Sequence, residues 1–169
     1  MAYTISYVIS WILGLLLFLI FPEKGLVTSL LQAHLVFGIG FFGVFGFLGH
    51  FIFSERVAQS IGWTSNGFQK ELGLITLGIG VSGVYCGLTN NGQNSLPLLI
   101  VLSFFLIGAG INHIRELITS HNTNAGNVVI ILPDFLIPIT LLVLLYLINC
   151  KNKCNIYLNS SSRASLAVL

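Results

Sequence analysis

Charged residues are scarce in this chain: lysine, arginine, aspartate and glutamate together make up only 7% of its 169 residues. A soluble globular domain carries about 25% charged residues, so these few charges cannot cover a surface that faces water. Hydrophobic residues account for 55% of the chain, and its mean hydropathy is +0.94. The composition therefore predicts an integral membrane protein whose main partner is the lipid bilayer.

Basic clusters and cysteine frameworks are also missing. The seven lysines and arginines are scattered along the chain, and the net charge is only +2. Because a nucleic-acid-binding surface needs a concentrated basic patch, we predict no nucleic-acid partner. The three cysteines, Cys86, Cys150 and Cys154, do not have the spacing of a disulfide framework.

Catalytic signatures are equally sparse. The chain contains no GxSxG, HExxH or P-loop sequence, and Gly38-x-Gly40 lies in a phenylalanine-rich run that is typical of membrane packing. His113 and Glu116 have the i, i+3 spacing of di-metal bundles, which also need carboxylates from other helices. We predict no enzymatic activity, no cofactor and no metal, and keep an intramembrane enzyme as the least favoured hypothesis.

Continuous apolar runs are what the chain has in abundance. Each is long enough to cross a hydrocarbon core about 30 Å thick as a helix, and none alternates as a barrel strand would. They predict an all-α, polytopic transmembrane helical bundle of about five spans, covering residues 1–148. The polar, serine-rich residues 149–169 are predicted to form a disordered tail. The runs are Thr4 to Phe21, Leu26 to Phe53, Phe68 to Leu88, Leu96 to Ile118 and Val128 to Ile148.

The basic residues give only a weak indication of orientation. We define face A as the membrane side with the loops after the second and fourth spans, and face B as the opposite side. Three basic residues against four do not decide under the positive-inside rule, although the pair Lys151 and Lys153 favours a cytoplasmic face B. Face A carries Arg56, Lys70 and Arg115, and face B carries Lys24, Lys151, Lys153 and Arg163.

Glycines recur at helical spacing in the second and third spans. Gly40, Gly43, Gly46 and Gly49 follow one another every three residues. Small residues at such spacing let helices approach closely in lipid. The pattern leaves two alternatives open, packing inside the bundle or a homo-oligomer interface. The candidate packing residues are Gly43, Gly46, Gly83 and Gly87.

Polar residues converge on face A. With five spans, the end of the fourth span and the starts of the third and fifth all lie there, and they carry the candidate polar cluster. Asp134 is the deepest member, because it follows Asn127 by about seven residues, or ~10 Å along a helix. An ionised aspartate in lipid costs at least ~2.5 kcal/mol, so it should face the bundle, be protonated or pair with a cation. The candidate residues are Gln69, Glu71, His113, Arg115 and Asp134.

Two interpretations of this cluster remain open. The residues either form a structural network that locks helix ends, or they line a water-filled cavity that binds or translocates a small solute or proton. Ionisable groups inside a membrane favour the functional interpretation. The alternative function is a structural or assembly subunit of a membrane complex that transports nothing.

Three motifs in order resemble a family of small multi-pass prokaryotic membrane proteins known only as a domain of unknown function. They are Gly62-Trp63 with Phe68-Gln69-Lys70-Glu71-Leu72-Gly73, then Gly108-Ala109-Gly110 with His113-Ile114-Arg115, then Asn124-Ala125-Gly126 with Asp134 to Pro138. The resemblance implies a multi-helix fold in a prokaryotic plasma membrane, the inner membrane in bacteria. It implies no activity.

Overall fold

A computed structural model describes residues 2–89 and 92–166 of the chain. Its helices form one bundle, and no strand occurs in either described range. The predicted all-α helical fold is therefore confirmed. A short 3-10 turn, Pro22–Lys24, joins the first two helices. In chain order the helices are α1 (Ala2–Ile20), α2 (Leu26–Ile52), α3 (Ser54–Ile61), α4 (Gly67–Leu88), α5 (Leu96–Thr119), α6 (Ala125–Val128) and α7 (Ile131–Leu166).

Within the described residues, four helical segments are long and apolar enough to cross a membrane. They are α2, α4, α5 and the segment Ala125–Cys154, which joins α6 to most of α7. The apolar part of α1, Thr4–Ile20, is shorter and lies at the lower limit of about 17 residues for a spanning helix. Each of the five apolar runs in the sequence thus corresponds to one helical segment.

Helices α2 and α4 approach each other most closely at their glycines. A Cβ atom added to Gly43 would lie 2.5 Å from the Cα of Gly80. One added to Gly83 would lie 2.9 Å from the carbonyl oxygen of Leu35. Gly46 and Gly87 likewise face Thr76 and Val36. The four candidate packing glycines therefore lie at a contact inside this chain, where a side chain would separate the two helices.

The two histidines of α2 lie in π-helical segments. His34 begins the segment His34–Ile39, and His50 lies within Leu48–Ile52. Such segments widen one helical turn and are frequent at functional sites. The His34 ring is buried against Trp11 and Tyr7, and its Nδ1–H donates to the carbonyl oxygen of Leu30 at 2.8 Å. His50 lies at the other end of α2, toward face A.

Helix α7 carries proline at its start and in its interior. Pro133 lies in the first turn, where a helix needs no N–H from it, and the buried Pro138 has no N–H to donate to the carbonyl of Asp134. Past Pro138 the helix meets neither proline nor glycine and continues to Leu166. Helical backbone thus extends into the segment predicted to be disordered. Residues 167–169 of that tail lie outside the described part, and the domain division at residue 148 remains a prediction.

Polar side chains join the helices at face B. Lys24 Nζ donates to Gln32 Oε1 at 3.3 Å, and Asn152 Nδ2 donates to Gln93 Oε1 at 3.5 Å. Lys151 Nζ would lie 3.5 Å from a Cβ added to Gly25. Lys24 and Lys151 therefore both lie at the end of the bundle opposite to His50.

A candidate binding cavity at face A

A cavity of about 300 Å³ lies at the face A end of the bundle. It is bounded by α2, the short helix α3, α4, α5 and the start of the last span. Apolar side chains form most of its wall, including those of Phe42, Phe45 and Phe105. Among the residues that line it, the ones with polar side-chain atoms are His50, Ser60, Trp63, Thr76, His113 and Asp134. A mostly apolar concavity with a few convergent polar groups is the usual form of a small-molecule site.

The orientation of His113 is fixed by Asn127. The side-chain nitrogen of Asn127 donates to the carbonyl oxygens of His113 and Asn122, at 3.1 and 3.0 Å. Its oxygen must therefore be the atom 2.8 Å from His113 Nδ1, and Nδ1–H is the donor. In a neutral imidazole only one nitrogen carries a proton, which leaves Nε2 of His113 as a hydrogen-bond acceptor.

His50 has the opposite tautomer for an analogous reason. Gln69 Nε2 donates to the carbonyl oxygen of Ser54 at 2.9 Å, which identifies that atom as the amide nitrogen. Its second hydrogen points to His50 Nδ1 at 3.4 Å. Nδ1 of His50 thus accepts, and Nε2 carries the ring proton. The two cavity histidines consequently offer one acceptor and one donor.

Asp134 is the acidic residue of the site and is only 1% exposed. It lies in the first turn of α7, where the helix dipole favours a negative charge. Helix α5 approaches it through Gly110, because a Cβ atom there would lie 3.1 Å from the Cβ of Asp134. Asp134 lines the cavity together with His113.

Trp63 reaches the cavity because of the way α3 ends. Gly62 adopts φ +85°, a left-handed conformation that favours glycine, and Trp63 N–H donates to the carbonyl oxygen of Ala58 at 2.8 Å. This turn lays the indole on the imidazole of His113, with ring centroids 5.4 Å apart and planes inclined by 10°. Trp63 is 39% exposed, so one of its sides faces outward.

The loop before α6 holds α3 in place over the cavity. The buried Asn122 donates from Nδ2 to the carbonyl oxygen of Ile61 at 2.8 Å. Gly126 lies against Ser60, whose carbonyl oxygen leaves no room for a Cβ atom. Two separate contacts thus connect the segment before the last span to α3, which covers the cavity toward face A.

The candidate polar cluster is divided by the structure. His113 and Asp134 line the cavity, and Gln69 lies beside it through its contact with His50. Glu71 and Arg115 are exposed and do not line it. The predicted site residues did not include His50, Trp63, Thr76 or Asn127. The sequence positions of two of them were informative, because His50 lies near the end of the second apolar run and Asn127 directly precedes the fifth.

One known family matches nearly the whole bundle. A model for DUF6790, a family of unknown function, matches residues 1–153. The chain belongs to this family. The match confirms the resemblance to a domain of unknown function, while the prokaryotic origin remains a prediction. No curated protein and no solved structure is significantly similar to the chain.

Membership of the DUF6790 family brings no activity, so the site must be interpreted from its own chemistry. The cavity can bind a ligand without a reaction, through its two histidines, Asp134 and its apolar wall. Within residues 2–89 and 92–166, no three of the histidine, cysteine, aspartate and glutamate side chains come close enough to hold a metal ion.

Proposed function

We propose that this chain is an integral membrane protein that binds a small solute in the face A cavity and passes it, or a proton, through the membrane. The observation that carries the proposal is that buried Asp134 and His113 line one cavity of about 300 Å³. Ionisable side chains inside a membrane protein commonly mark solute or proton pathways.

The direction of access follows from the position of the cavity. Its polar residues lie at the ends of α2 and α5 and at the starts of α4 and α7, all on face A. Lys24, Lys151 and Lys153 lie on face B, and juxtamembrane lysines are typical of the cytoplasmic side. The proposal therefore has a solute entering from the side away from the cytoplasm, across a bacterial inner membrane.

Thiol labelling tests whether water and solute reach the cavity. Cys86, Cys150 and Cys154 are replaced by serine, and Ala109→Cys is added, because Ala109 is a small residue in the cavity wall. A membrane-impermeant maleimide is then applied from each side of sealed vesicles. We expect rapid labelling from face A and none from face B.

Matched variants on the same background give the reference rates. Ser120→Cys and Lys151→Cys, both at exposed positions, report full access from face A and face B. Ser103→Cys lies on the same helix as Ala109, is 8% exposed and does not line the cavity, so it should stay unlabelled. If Ala109→Cys reacts no faster than Ser103→Cys in folded protein, the cavity is dry and the proposal is wrong.

A structural or assembly subunit remains the alternative function. The same experiment separates the two, because an assembly subunit needs no water-filled cavity. Gly43, Gly46, Gly83 and Gly87 lie between α2 and α4 of this chain, and a homo-oligomer through glycine-rich helix faces stays a prediction.

A further inference from the structure

We infer that the solute of the face A cavity is a small uncharged molecule whose polar end both donates and accepts a hydrogen bond, a hydroxyl or carboxamide group on a compact apolar body. This inference rests on the proposed function and adds the chemical class of the solute. Its basis is the pair of cavity histidines, of which one accepts and the other donates, together with the apolar wall.

His113 presents a hydrogen-bond acceptor to the cavity. The residue is only 5% exposed, yet its ring lines the cavity. Its Nδ1–H donates to Asn127, and an imidazole is mostly neutral at pH 7, all the more in a buried apolar site. Nε2 therefore keeps a lone pair, for which the described part of the chain offers no donor. A buried acceptor of this kind is satisfied by water or by a donor on the ligand.

His50 presents a donor to the same cavity. Gln69 donates to its Nδ1, so the ring proton lies on Nε2. Among the described residues this Nε2–H has no acceptor. Both rings line the cavity, and they are near enough to influence each other electrostatically. Hydroxyl and carboxamide groups match the pair, because each of them donates one hydrogen bond and accepts another without carrying a charge.

The wall offers a charged ligand no free counter-charge. None of the lysine, arginine and glutamate side chains in the described part of the chain lines the cavity, and Asp134 already has an interaction inside the chain. A charge left without a partner in such a site is costly. An ammonium group would also direct donors at the Nε2–H of His50, and a carboxylate would meet the lone pair of His113 with its own. Both features favour an uncharged ligand.

The remaining wall suits the apolar body of such a ligand. Phe42, Phe45, Phe105 and Trp63 all line the cavity, and aromatic side chains pack well against apolar groups and other rings. A water molecule occupies ≈30 Å³ of liquid, so about 300 Å³ holds a molecule of roughly ten non-hydrogen atoms. The cavity therefore has room for one ring with a short chain that ends in the polar group.

Probes with the same number of non-hydrogen atoms test this class. The alcohol 3-phenylpropanol donates and accepts, its isomer methyl 2-phenylethyl ether only accepts, and butylbenzene does neither. The amine 3-phenylpropylamine and the anion phenylacetate are charged at neutral pH.

Binding of each probe to the full chain in vesicles is followed by tryptophan fluorescence in a Trp11→Phe background, which leaves Trp63 over the cavity as the single tryptophan. Affinities are referred to the free aqueous concentration of the probe. We expect the alcohol to bind roughly two- to tenfold more tightly than the ether, since one hydrogen bond contributes about 0.5–1.5 kcal/mol. The alcohol should also bind more tightly than either charged probe.

Two variants in the same background separate the two hydrogen bonds. His113→Phe removes the acceptor, so the ratio of alcohol to ether affinity should fall to about one, while the ratio of ether to butylbenzene affinity stays. His50→Phe removes the donor, so the second ratio should fall and the first should stay.

The ligand class is overturned if the ether, the amine or phenylacetate binds to the unmodified cavity as tightly as the alcohol. It is also overturned if no probe binds although Ala109→Cys is labelled, or if either histidine variant folds and leaves its own ratio unchanged.

These outcomes leave the solute site itself standing. Only a cavity in which Ala109→Cys reacts no faster than Ser103→Cys overturns the proposed function as well. Because the comparison among the probes needs no substitution at either histidine, the inference remains testable even if neither histidine variant folds.

Discussion

Asn127 and His113 hold each other through two hydrogen bonds. His113 Nδ1–H donates to Asn127 Oδ1 at 2.8 Å, and Asn127 Nδ2 donates back to the carbonyl oxygen of His113 at 3.1 Å. Asn127 is 0% exposed, so water cannot replace either partner. This pair determines which nitrogen of His113 is offered to the cavity, and it joins the end of α5 to the start of the last span.

Replacing Asn127 by leucine should destabilise the fold strongly. Asn127→Leu keeps the branched shape of the side chain and leaves the Nδ1–H of His113 without its acceptor, and an unsatisfied buried donor costs about 1–3 kcal/mol. Unfolding in mixed micelles, followed by circular dichroism, measures the change. Thr123→Ala, at an exposed position in the same loop, is the control and should stay within about 0.5 kcal/mol of the unmodified chain. Equal stability of both variants would contradict this account of the pair.

The order of the long helices could be predicted from the sequence because an apolar run of about 20 residues favours a helix long enough to cross a membrane. Among the described residues, the five runs correspond to four candidate spans and the shorter α1. They also gave the depth of His113 and Asp134, which both lie toward face A and line one cavity. Hydropathy does not determine which side of each helix faces the interior of the bundle.

The angular position of each residue around its helix explains why only some of the candidate residues line the cavity. Residues two apart on a helix point to different sides, so His113 and Arg115 cannot both face one interior, and neither can Gln69 and Glu71. The π-helical segment His34–Ile39 precedes His50 and changes its angular position, so regular helical periodicity does not predict which side His50 faces. Thr76 carries no charge, and a single hydroxyl in an apolar run gives no distinguishing signal.

Adding one methyl group at Gly80 should destabilise the contact between α2 and α4. A Cβ atom there would lie 2.7 Å from the Cα of Gly43, a backbone atom that cannot rotate away. Overpacking of this kind costs about 1–3 kcal/mol. Gly78→Ala, two residues away on the same helix and with open space around its Cβ, should be neutral or up to about 1 kcal/mol stabilising. If both substitutions had the same effect, the glycines would not be packing residues within the chain.

The hydroxyl of Tyr7 should contribute measurably to the attachment of α1. Its oxygen lies 2.9 Å from Thr140 Oγ1, a hydrogen bond that joins α1 to α7. Hydrogen bonds between membrane helices contribute on average about 0.6 kcal/mol, so Tyr7→Phe should lower the free energy of unfolding by roughly that amount. Combining it with Thr140→Val in a double-mutant cycle measures the coupling directly. Tyr85→Phe, at a residue 68% exposed, is the control, and a coupling of zero would mean that the bond does not form.

Trp63 should control access to the cavity. Its indole covers His113 from face A with the two ring planes nearly parallel, and such a ring contact is worth about 0.5–1.5 kcal/mol. Removing it with Trp63→Ala should therefore speed maleimide labelling of Ala109→Cys from face A by roughly two- to tenfold.

The control for this prediction is Phe68→Ala, which removes an aromatic ring that is 72% exposed and does not line the cavity. Its labelling rate should match that of the parent. An unchanged rate in Trp63→Ala would mean that solute enters by another route, between α2 and α5 rather than past the end of α3. The labelling rate of Ala109→Cys thus shows whether water reaches the cavity, and its change in Trp63→Ala shows whether Trp63 limits access.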